Sequence, residues 1–322
     1  MVASQGLERT EFDPSAADQE TVAFVAELEA RLSTVSPPQE VGIQAVREAA
    51  RSGQSFFGPV VHSDIAADRV IDSPASGLTL RVFTPPVVKG VYLHFHGGGW
   101  AQGASDLQDP RLERIANECE VAVISVDYRL APEYPYPAGP DDAETAGLWL
   151  ARNAGAEFGT ENLVIGGESA GAHLASVALL RMRDRHGLTS AYKGANLLYG
   201  AYDLTLTPSS RAWGDRYVVL SRPYINWCLD MFVPAERRTD PDVSPLYADL
   251  SGLPPALFSV GTVDPLLDDT LFMHARWLAA GNEANIAVHP GLPHAFPLMP
   301  LKASEQANAI CNEFIRLAIS RD

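Results

Sequence analysis

Short apolar segments alternate with amphipathic segments over most of this chain, from about residue 77 to the C-terminus. Seven segments are typical of buried strands, namely "GLTLRVFTP", "GVYLHF", "VAVISVDYR", "NLVIGG", "ANLLYG", "PALFSVGTVD" and "NIAVHPG". Helical segments separate them, such as "DPRLERIANECE" and "AGAHLASVALLRMRDRHG". Continuous apolar strands connected by amphipathic helices predict an α/β fold, in which a mostly parallel central sheet is flanked by helices on both faces.

Two regions depart from this alternation. Near the N-terminus, apolar residues three or four positions apart predict a helix with Ser15 as its N-cap, and a second helix follows around residues 43–51. The apolar positions of the first helix are Val22, Val25, Leu28 and Leu32. Residues 205–245 form an aromatic-rich insertion between strands, which is a natural place for a cap over a substrate site. An ordinary helical excursion packed on the core is the alternative.

Composition narrows the class of protein. The 322 residues include 24 basic and 40 acidic side chains, and the formal net charge of −16 disfavours binding to nucleic acid or anionic lipid. Cys119, Cys228 and Cys311 lie far apart without a CxxC pair, which argues against a disulfide framework and a zinc site. We expect a cytoplasmic protein, because the sequence shows neither a secretory signal nor an apolar stretch long enough to span a membrane.

Ser169 lies between Gly167 and Gly171 in the segment "NLVIGGESAGAHLASVALL". The Gly-x-Ser-x-Gly pattern alone is weak evidence for a nucleophile, because a serine in an ordinary turn is commoner. Here an apolar strand precedes the serine and a helix follows it, as a nucleophile elbow requires. A serine nucleophile also needs a histidine base oriented by a carboxylate, and backbone N–H donors where the oxyanion forms.

Three further segments can supply these partners, each at the end of a predicted strand. "HGGGW", at residues 96–100, places three glycines after a strand and exposes N–H groups suited to an oxyanion hole. Asp264 follows the strand "LFSVGTV", where sites in open α/β sheets gather, whereas the two later aspartates of "DPLLDD" begin a helix. His294 lies in a loop after the last strand, whereas the remaining histidines fall at positions better explained by packing or by the surface. We therefore predict Ser169 as the nucleophile.

The chain resembles the hormone-sensitive-lipase-like branch of the α/β-hydrolases, the bacterial family IV esterases, over roughly residues 60–320. The matching segments are "HGGGW", "VDYRLAPEYPYPA", "GGESAGAHLA", "SPLYADLSGLPPALFSVGTVDPLLDD" and "HAF". The resemblance implies a catalytic triad of Ser169, Asp264 and His294. It also implies an oxyanion hole, for which the N–H donors are those of Gly98, Gly99 and Ala170, with Gly97 as a further candidate.

The same resemblance implies a domain organisation. Residues 1–55 and the insertion at 205–245 would form one helical cap, and residues 56–204 and 246–322 would form the α/β-hydrolase core. Two residues depart from the family's pattern: Glu168 stands where members often carry Asp or Thr, and Ala295 stands where they carry Gly. We expect Glu168 to hold the elbow or neighbouring loops through hydrogen bonds.

These assignments predict a serine carboxylesterase that hydrolyses short- to medium-chain esters through an acyl-enzyme, without a metal or an organic cofactor. An amide hydrolase or deacetylase on the same triad and a membrane-associated lipase are alternatives, and a ligand receptor on this fold is disfavoured by the presence of His294. The family often forms dimers, so a homodimer is a further expectation. Five aromatic residues are candidates to line the substrate pocket, although each could equally belong to the core: Trp100, Tyr199, Trp213, Trp227 and Phe232.

Overall fold

The computed structural model describes residues 7–55, 57–74 and 77–321. Within these ranges an eight-stranded sheet has the order β1-β2-β4-β3-β5-β6-β7-β8. The strands are β1 (Ala66–Ile71), β2 (Leu78–Phe83), β3 (Gly90–Phe95), β4 (Val121–Val126), β5 (Leu163–Glu168), β6 (Tyr192–Leu198), β7 (Ala256–Val263) and β8 (Ala284–Pro293). The pairs β1–β2 and β2–β4 are antiparallel, and all the others are parallel, which confirms the predicted mostly parallel sheet.

Ten α-helices occur in the described ranges. They are α1 (Gln19–Leu32), α2 (Pro38–Val41), α3 (Ile43–Arg51), α4 (Asp109–Cys119), α5 (Ala138–Phe158), α6 (Ala170–His186), α7 (Pro208–Ala212), α8 (Arg222–Phe232), α9 (Leu267–Ala279) and α10 (Lys302–Ile319). The predicted insertion contains α7 and α8. Its division from the core as part of a cap stays a prediction.

The helices cover both faces of the sheet. On β3, Val91, Leu93 and Phe95 pack in one apolar cluster with residues of α5, α6 and α9. Tyr92, which lies between them in sequence, packs in a second cluster with residues of α4 and α10. Successive side chains of a strand point to opposite faces, so a strand buried on both faces must be apolar at consecutive positions. This is why the strand segments are continuous apolar runs.

Strand β1 was not predicted from the sequence. It lies at the edge of the sheet, and four of its six residues are exposed. Its segment "AADRVI" therefore lacks the continuous apolar run of the central strands.

The N-cap of helix α1 lies three residues later than predicted. Asp18, not Ser15, is the N-cap, because its carboxylate accepts a hydrogen bond from the N–H of Thr21 at 2.7 Å. Ser15 instead lies in a short 3₁₀ turn and donates its N–H to Asp13. The prediction that Val22 belongs to the apolar face of this helix is also wrong, because its side chain is exposed and Thr21 is buried in its place. The other three positions are buried as predicted.

Candidate active site

Ser169 lies in a sharp turn between β5, which ends at Glu168, and α6, which begins at Ala170. Its φ of 57° and ψ of −121° are unfavourable for a residue with a side chain, so the surrounding structure must impose them. The flanking glycines are sterically required. A Cβ on Gly167 or Gly171 would lie 2.3 Å or 1.9 Å from the carbonyl oxygen of Phe95, at the end of the neighbouring β3. The Gly-x-Ser-x-Gly pattern therefore reflects the close approach of two strands and a helix.

Ser169, His294 and Asp264 are joined by hydrogen bonds. Ser169 Oγ lies 3.0 Å from His294 Nε2, and His294 Nδ1 lies 2.8 Å from Asp264 Oδ2. The second carboxylate oxygen of Asp264 accepts the N–H of Leu266 at 2.8 Å, which fixes the orientation of the carboxylate. Asp264 and His294 directly follow the parallel strands β7 and β8. Because parallel strands present their carboxyl ends at the same edge, three residues distant in sequence meet there.

The glycine run "HGGGW" lies beside Ser169. Gly98 and Gly99 have φ values of 123° and 57°, in the region that favours glycine. Within the described part of the chain, no hydrogen bond occupies the N–H of Gly98, Gly99 or Ala170. The N–H of Gly97 is different, because it donates to Glu168 Oε1 at 3.1 Å. Gly97 is therefore a wrong candidate for the oxyanion hole, since its donor is already used.

Glu168 connects the elbow to this glycine run. Besides accepting from Gly97, its carboxylate lies 2.8 Å from His94 Nε2 and 3.6 Å from Arg111 Nη1, and it accepts a hydrogen bond from Gln108. Burial raises the pKa of Glu168, but the interactions with His94, Arg111 and Gln108 outweigh it and hold the pKa well below its usual range. The expectation that Glu168 holds a neighbouring loop through hydrogen bonds is confirmed.

An apolar cavity of about 510 Å³ opens above Ser169 and His294. Trp100 and Tyr199 are among its lining residues, as predicted. Tyr199 packs its ring against His294, with centroids 4.6 Å apart. Trp100 stacks on Phe232 at 4.5 Å, and its indole N–H donates to His173 at 3.0 Å. Trp100 thus anchors the end of the glycine run in the core as well as lining the cavity.

The other three aromatic candidates are wrong, because the described lining of the cavity does not include them. Phe232 is fully buried behind Trp100. Trp213 donates its indole N–H to the carbonyl of Leu220 and stacks with the guanidinium of Arg216. Trp227 is on α8, but the cavity-lining residues of that helix are Tyr224, Ile225, Cys228 and Leu229.

Sequence reasoning missed two groups of cavity residues. Tyr217 and Tyr224 come from the insertion already noted for its aromatic residues, and Tyr224 and Cys228 lie four positions apart on one face of α8. The second group comes from the N-terminal helices and the segment that follows them, which supply a long series of lining residues from Arg31 to Val60. The helical spacing of small apolar residues in α3 and the cap implied by the family resemblance were signals for this second group, but neither identified individual residues.

The groups gathered here serve nucleophilic and acid–base chemistry. Across the described ranges, no three His, Cys, Asp or Glu side chains are grouped so as to hold a metal ion. In the same ranges, none of the helices has the length and apolar character needed to cross a membrane. Cys119, Cys228 and Cys311 are buried free thiols.

The sheet order, the strained serine turn and the hydrogen-bonded serine, histidine and aspartate together define an α/β hydrolase. The sequence matches a family model described as an alpha/beta hydrolase fold over residues 92–298. The chain belongs to this family, in its hormone-sensitive-lipase-like branch.

Relatives with names and structures agree with this assignment. The chain is 36% identical to carboxylesterase NlhH of Mycobacterium tuberculosis over 246 residues, which cover 72% of this chain and 76% of that protein. It is 34% identical to the carboxylic ester hydrolase LipN of the same organism over 257 residues, or 76% and 67% of the two chains. A hyperthermophilic esterase from Pyrobaculum calidifontis superposes with a TM-score of 0.81 at 29% identity, covering 91% of this chain and 98% of that one.

Proposed function

We propose that this chain is a serine carboxylesterase in which Ser169 is the nucleophile, His294 the general base and Asp264 the group that orients His294. The observation that carries the proposal is the continuous hydrogen-bonded line from Ser169 Oγ through His294 to Asp264, with distances of 3.0 and 2.8 Å, at the floor of an apolar cavity. The family and the named esterase relatives support ester hydrolysis as the reaction.

The first half of the reaction acylates the serine. Ser169 Oγ attacks the ester carbonyl while His294 Nε2 takes the hydroxyl proton, and the buried Asp264 carboxylate stabilises the imidazolium that results. The negative charge of the tetrahedral intermediate develops on the former carbonyl oxygen. The N–H groups of Gly98, Gly99 and Ala170 donate to that oxygen. His294 then gives its proton to the leaving alcohol, and an acyl-enzyme remains.

The second half of the reaction releases the acid. His294 removes a proton from water, which attacks the acyl-enzyme, and the same backbone donors stabilise the second tetrahedral intermediate. The bond between the acyl carbon and Ser169 Oγ then breaks, His294 returns its proton to Ser169 Oγ, and the acid leaves. Every proton transfer uses His294, so no metal or organic cofactor is required. Short- to medium-chain esters suit the apolar cavity of about 510 Å³, which lies within the usual size range for small-molecule sites. A homodimer and a cytoplasmic location stay predictions from the sequence.

The test is hydrolysis of p-nitrophenyl esters from acetate to palmitate by the native protein and by Ser169→Ala. We expect a rate that is highest for short or medium chains, and a loss of about four orders of magnitude or more in Ser169→Ala. Ser176→Ala is a matched control, because Ser176 is a buried serine of α6 that donates to the carbonyl of Ala172. It should retain activity. Equal rates for the native protein and Ser169→Ala would refute the proposal, and faster turnover of a matching p-nitroanilide would favour an amide hydrolase.

A further inference from the structure

Helix α3 lies beside the cavity, and none of its residues is buried. Its small apolar residues Ala45, Val46, Ala49 and Ala50 line the cavity. In most amphipathic helices the apolar face packs on the core and holds the helix in place. Here that face is a wall of the cavity, so something else must hold α3.

Polar side-chain contacts hold α3, and Arg47 makes four of these hydrogen bonds. Its Nε donates to the carbonyl oxygen of Ala101 at 2.8 Å, and its Nη2 donates to that of Ala131 at 2.7 Å. The two terminal nitrogens also donate to the Glu133 carboxylate at 2.8 and 2.9 Å. The hydrogen bond to Arg47 is the main reason that the pKa of Glu133 is lowered to about 2, so this carboxyl is ionised near neutral pH. Gln44 adds one further hydrogen bond to Glu133, at 2.8 Å. Arg51, the last residue of α3 and a more exposed side chain than Arg47, forms a separate pair with Asp106 at 2.9 and 2.7 Å.

The two carbonyls that Arg47 binds belong to the loops around the catalytic serine. The N–H of Ala101 donates to the carbonyl of Gly98 at 3.1 Å. The N–H of Ala131 donates to the carbonyl of Trp100 at 2.9 Å. One guanidinium therefore connects α3 to the glycine run and to the loop that supports it. Arginine is suited to this role, because its planar fork can serve several acceptors at fixed angles, whereas lysine offers a single point charge.

We propose that Arg47 is a positioning residue that holds α3 as a wall of the substrate cavity, and that it thereby determines how well esters with longer apolar chains are bound. This inference rests on the esterase function proposed above. An acetyl group is small enough to be held near Ser169 and the backbone donors alone. A longer chain must extend along the cavity, and each further methylene gains from burial only while the wall is in place.

The test compares Arg47→Ala with Arg69→Ala. Arg69 also forms a two-pronged pair with a glutamate, Glu157, at 2.6 Å for both contacts, but it joins β1 to α5 and is not among the cavity residues. Two ester series are used, one varying the acyl chain with a fixed alcohol and one varying the alcohol with a fixed acetyl group. In Arg47→Ala we expect the KM for an eight-carbon chain, relative to that for a two-carbon chain of the same series, to rise about tenfold in one of the two series. Arg69→Ala should leave this ratio at its native value.

The series that changes identifies whether the acyl or the alcohol side of the ester lies against α3. An unchanged ratio in both series, or an equal loss for all chain lengths, would overturn the proposal, since a general loss of stability affects every substrate alike. Arg47→Lys should recover only part of the ratio. Glu133→Gln, which leaves both carbonyl acceptors of Arg47 in place, should change the ratio in the same direction but by less. This variant replaces Arg47→Ala in the test if Arg47→Ala does not fold.

Hydrogen–deuterium exchange tests the anchoring itself without reference to activity. The amides of residues 43–51 should exchange faster in Arg47→Ala than in the native protein, and at the native rate in Arg69→Ala. Unchanged exchange in Arg47→Ala would overturn the proposed role even if the protein is an active esterase. Absence of ester hydrolysis by the native protein would instead refute the proposed function, so the two failures are distinguishable.

Discussion

Replacing Glu168 by glutamine would remove a buried negative charge while keeping the size and shape of the side chain. The native carboxylate lies 2.8 Å from His94 and 3.6 Å from Arg111, and both it and Arg111 are less than one-tenth exposed. The glutamine oxygen can still accept the N–H of Gly97, which preserves the connection to the glycine run. The substitution therefore separates the electrostatic role of Glu168 from its role in positioning that loop.

The expected magnitude follows from the burial of the charges. Removing one partner of a buried ion pair leaves the other charge uncompensated, which typically costs about 3–5 kcal/mol of folding free energy. A domain has only about 5–15 kcal/mol in total, so Glu168→Gln should remain folded but with much of its stability lost. Glu168→Ala should lose a similar amount of folding free energy. Its kcat should also be about tenfold lower than that of Glu168→Gln, because the N–H of Gly97 then has no acceptor.

Urea unfolding at a series of pH values is the appropriate assay. The folded-state pKa of Glu168 is below its ordinary value of 4.5, so its contribution to stability is present above pH 4.5 and is lost as the pH falls toward the folded-state pKa. The stability difference between the native protein and Glu168→Gln should therefore be largest near neutral pH and shrink in acid. Glu157→Gln, at an exposed carboxylate paired with Arg69, should show little effect at any pH. A loss in Glu168→Gln of less than about 1 kcal/mol at pH 7 would refute the reasoning from buried charge.

Three other substitutions test separate features. Asp264→Asn would turn an N–H group toward His294 Nδ1 and favour the wrong imidazole tautomer, so kcat should fall about 10⁴-fold while the circular dichroism spectrum is unchanged. Gly171→Ala would place a Cβ 1.9 Å from the carbonyl oxygen of Phe95, so the soluble yield and the thermal unfolding temperature should both fall sharply. Burial raises the pKa of Asp269 from 3.8 to about 7, so the contribution of this carboxyl makes the stability of the native protein decrease as the pH rises through this range. The asparagine in Asp269→Asn cannot ionise. Urea unfolding should therefore show that the stability of this variant, relative to the native protein, increases as the pH rises over the same range.

The sheet and the positions of the proposed catalytic residues could be predicted from the sequence because local patterns determine them. Continuous apolar strands indicated a parallel sheet, and the carboxyl ends of such strands lie at one edge. Asp264 and His294 each follow a strand, so their approach to Ser169 was predictable without any knowledge of side-chain contacts.

The walls of the cavity could not be predicted in the same way. The composition of the insertion indicates many aromatic residues, but the rotation of α8 about its axis decides which of them face the cavity. That rotation depends on tertiary packing. Both Tyr224 and Phe232 are buried, but of these two aromatic residues only Tyr224 lines the cavity. Likewise, three consecutive glycines look equivalent in sequence, and only the structure reveals that Glu168 occupies the N–H of Gly97.

The reacting groups and the cavity wall are held by different kinds of interaction. Ser169 is held by its backbone, through a hydrogen bond from its N–H to the carbonyl of Leu198 at 2.9 Å and through close contacts that exclude any side chain at Gly171. Helix α3 is held by side-chain hydrogen bonds, chiefly those of Arg47. Backbone contacts of the first kind tolerate few substitutions, whereas side-chain contacts can be changed one at a time. We therefore expect substitutions in α3 to alter which esters are bound while the geometry of the reaction stays intact.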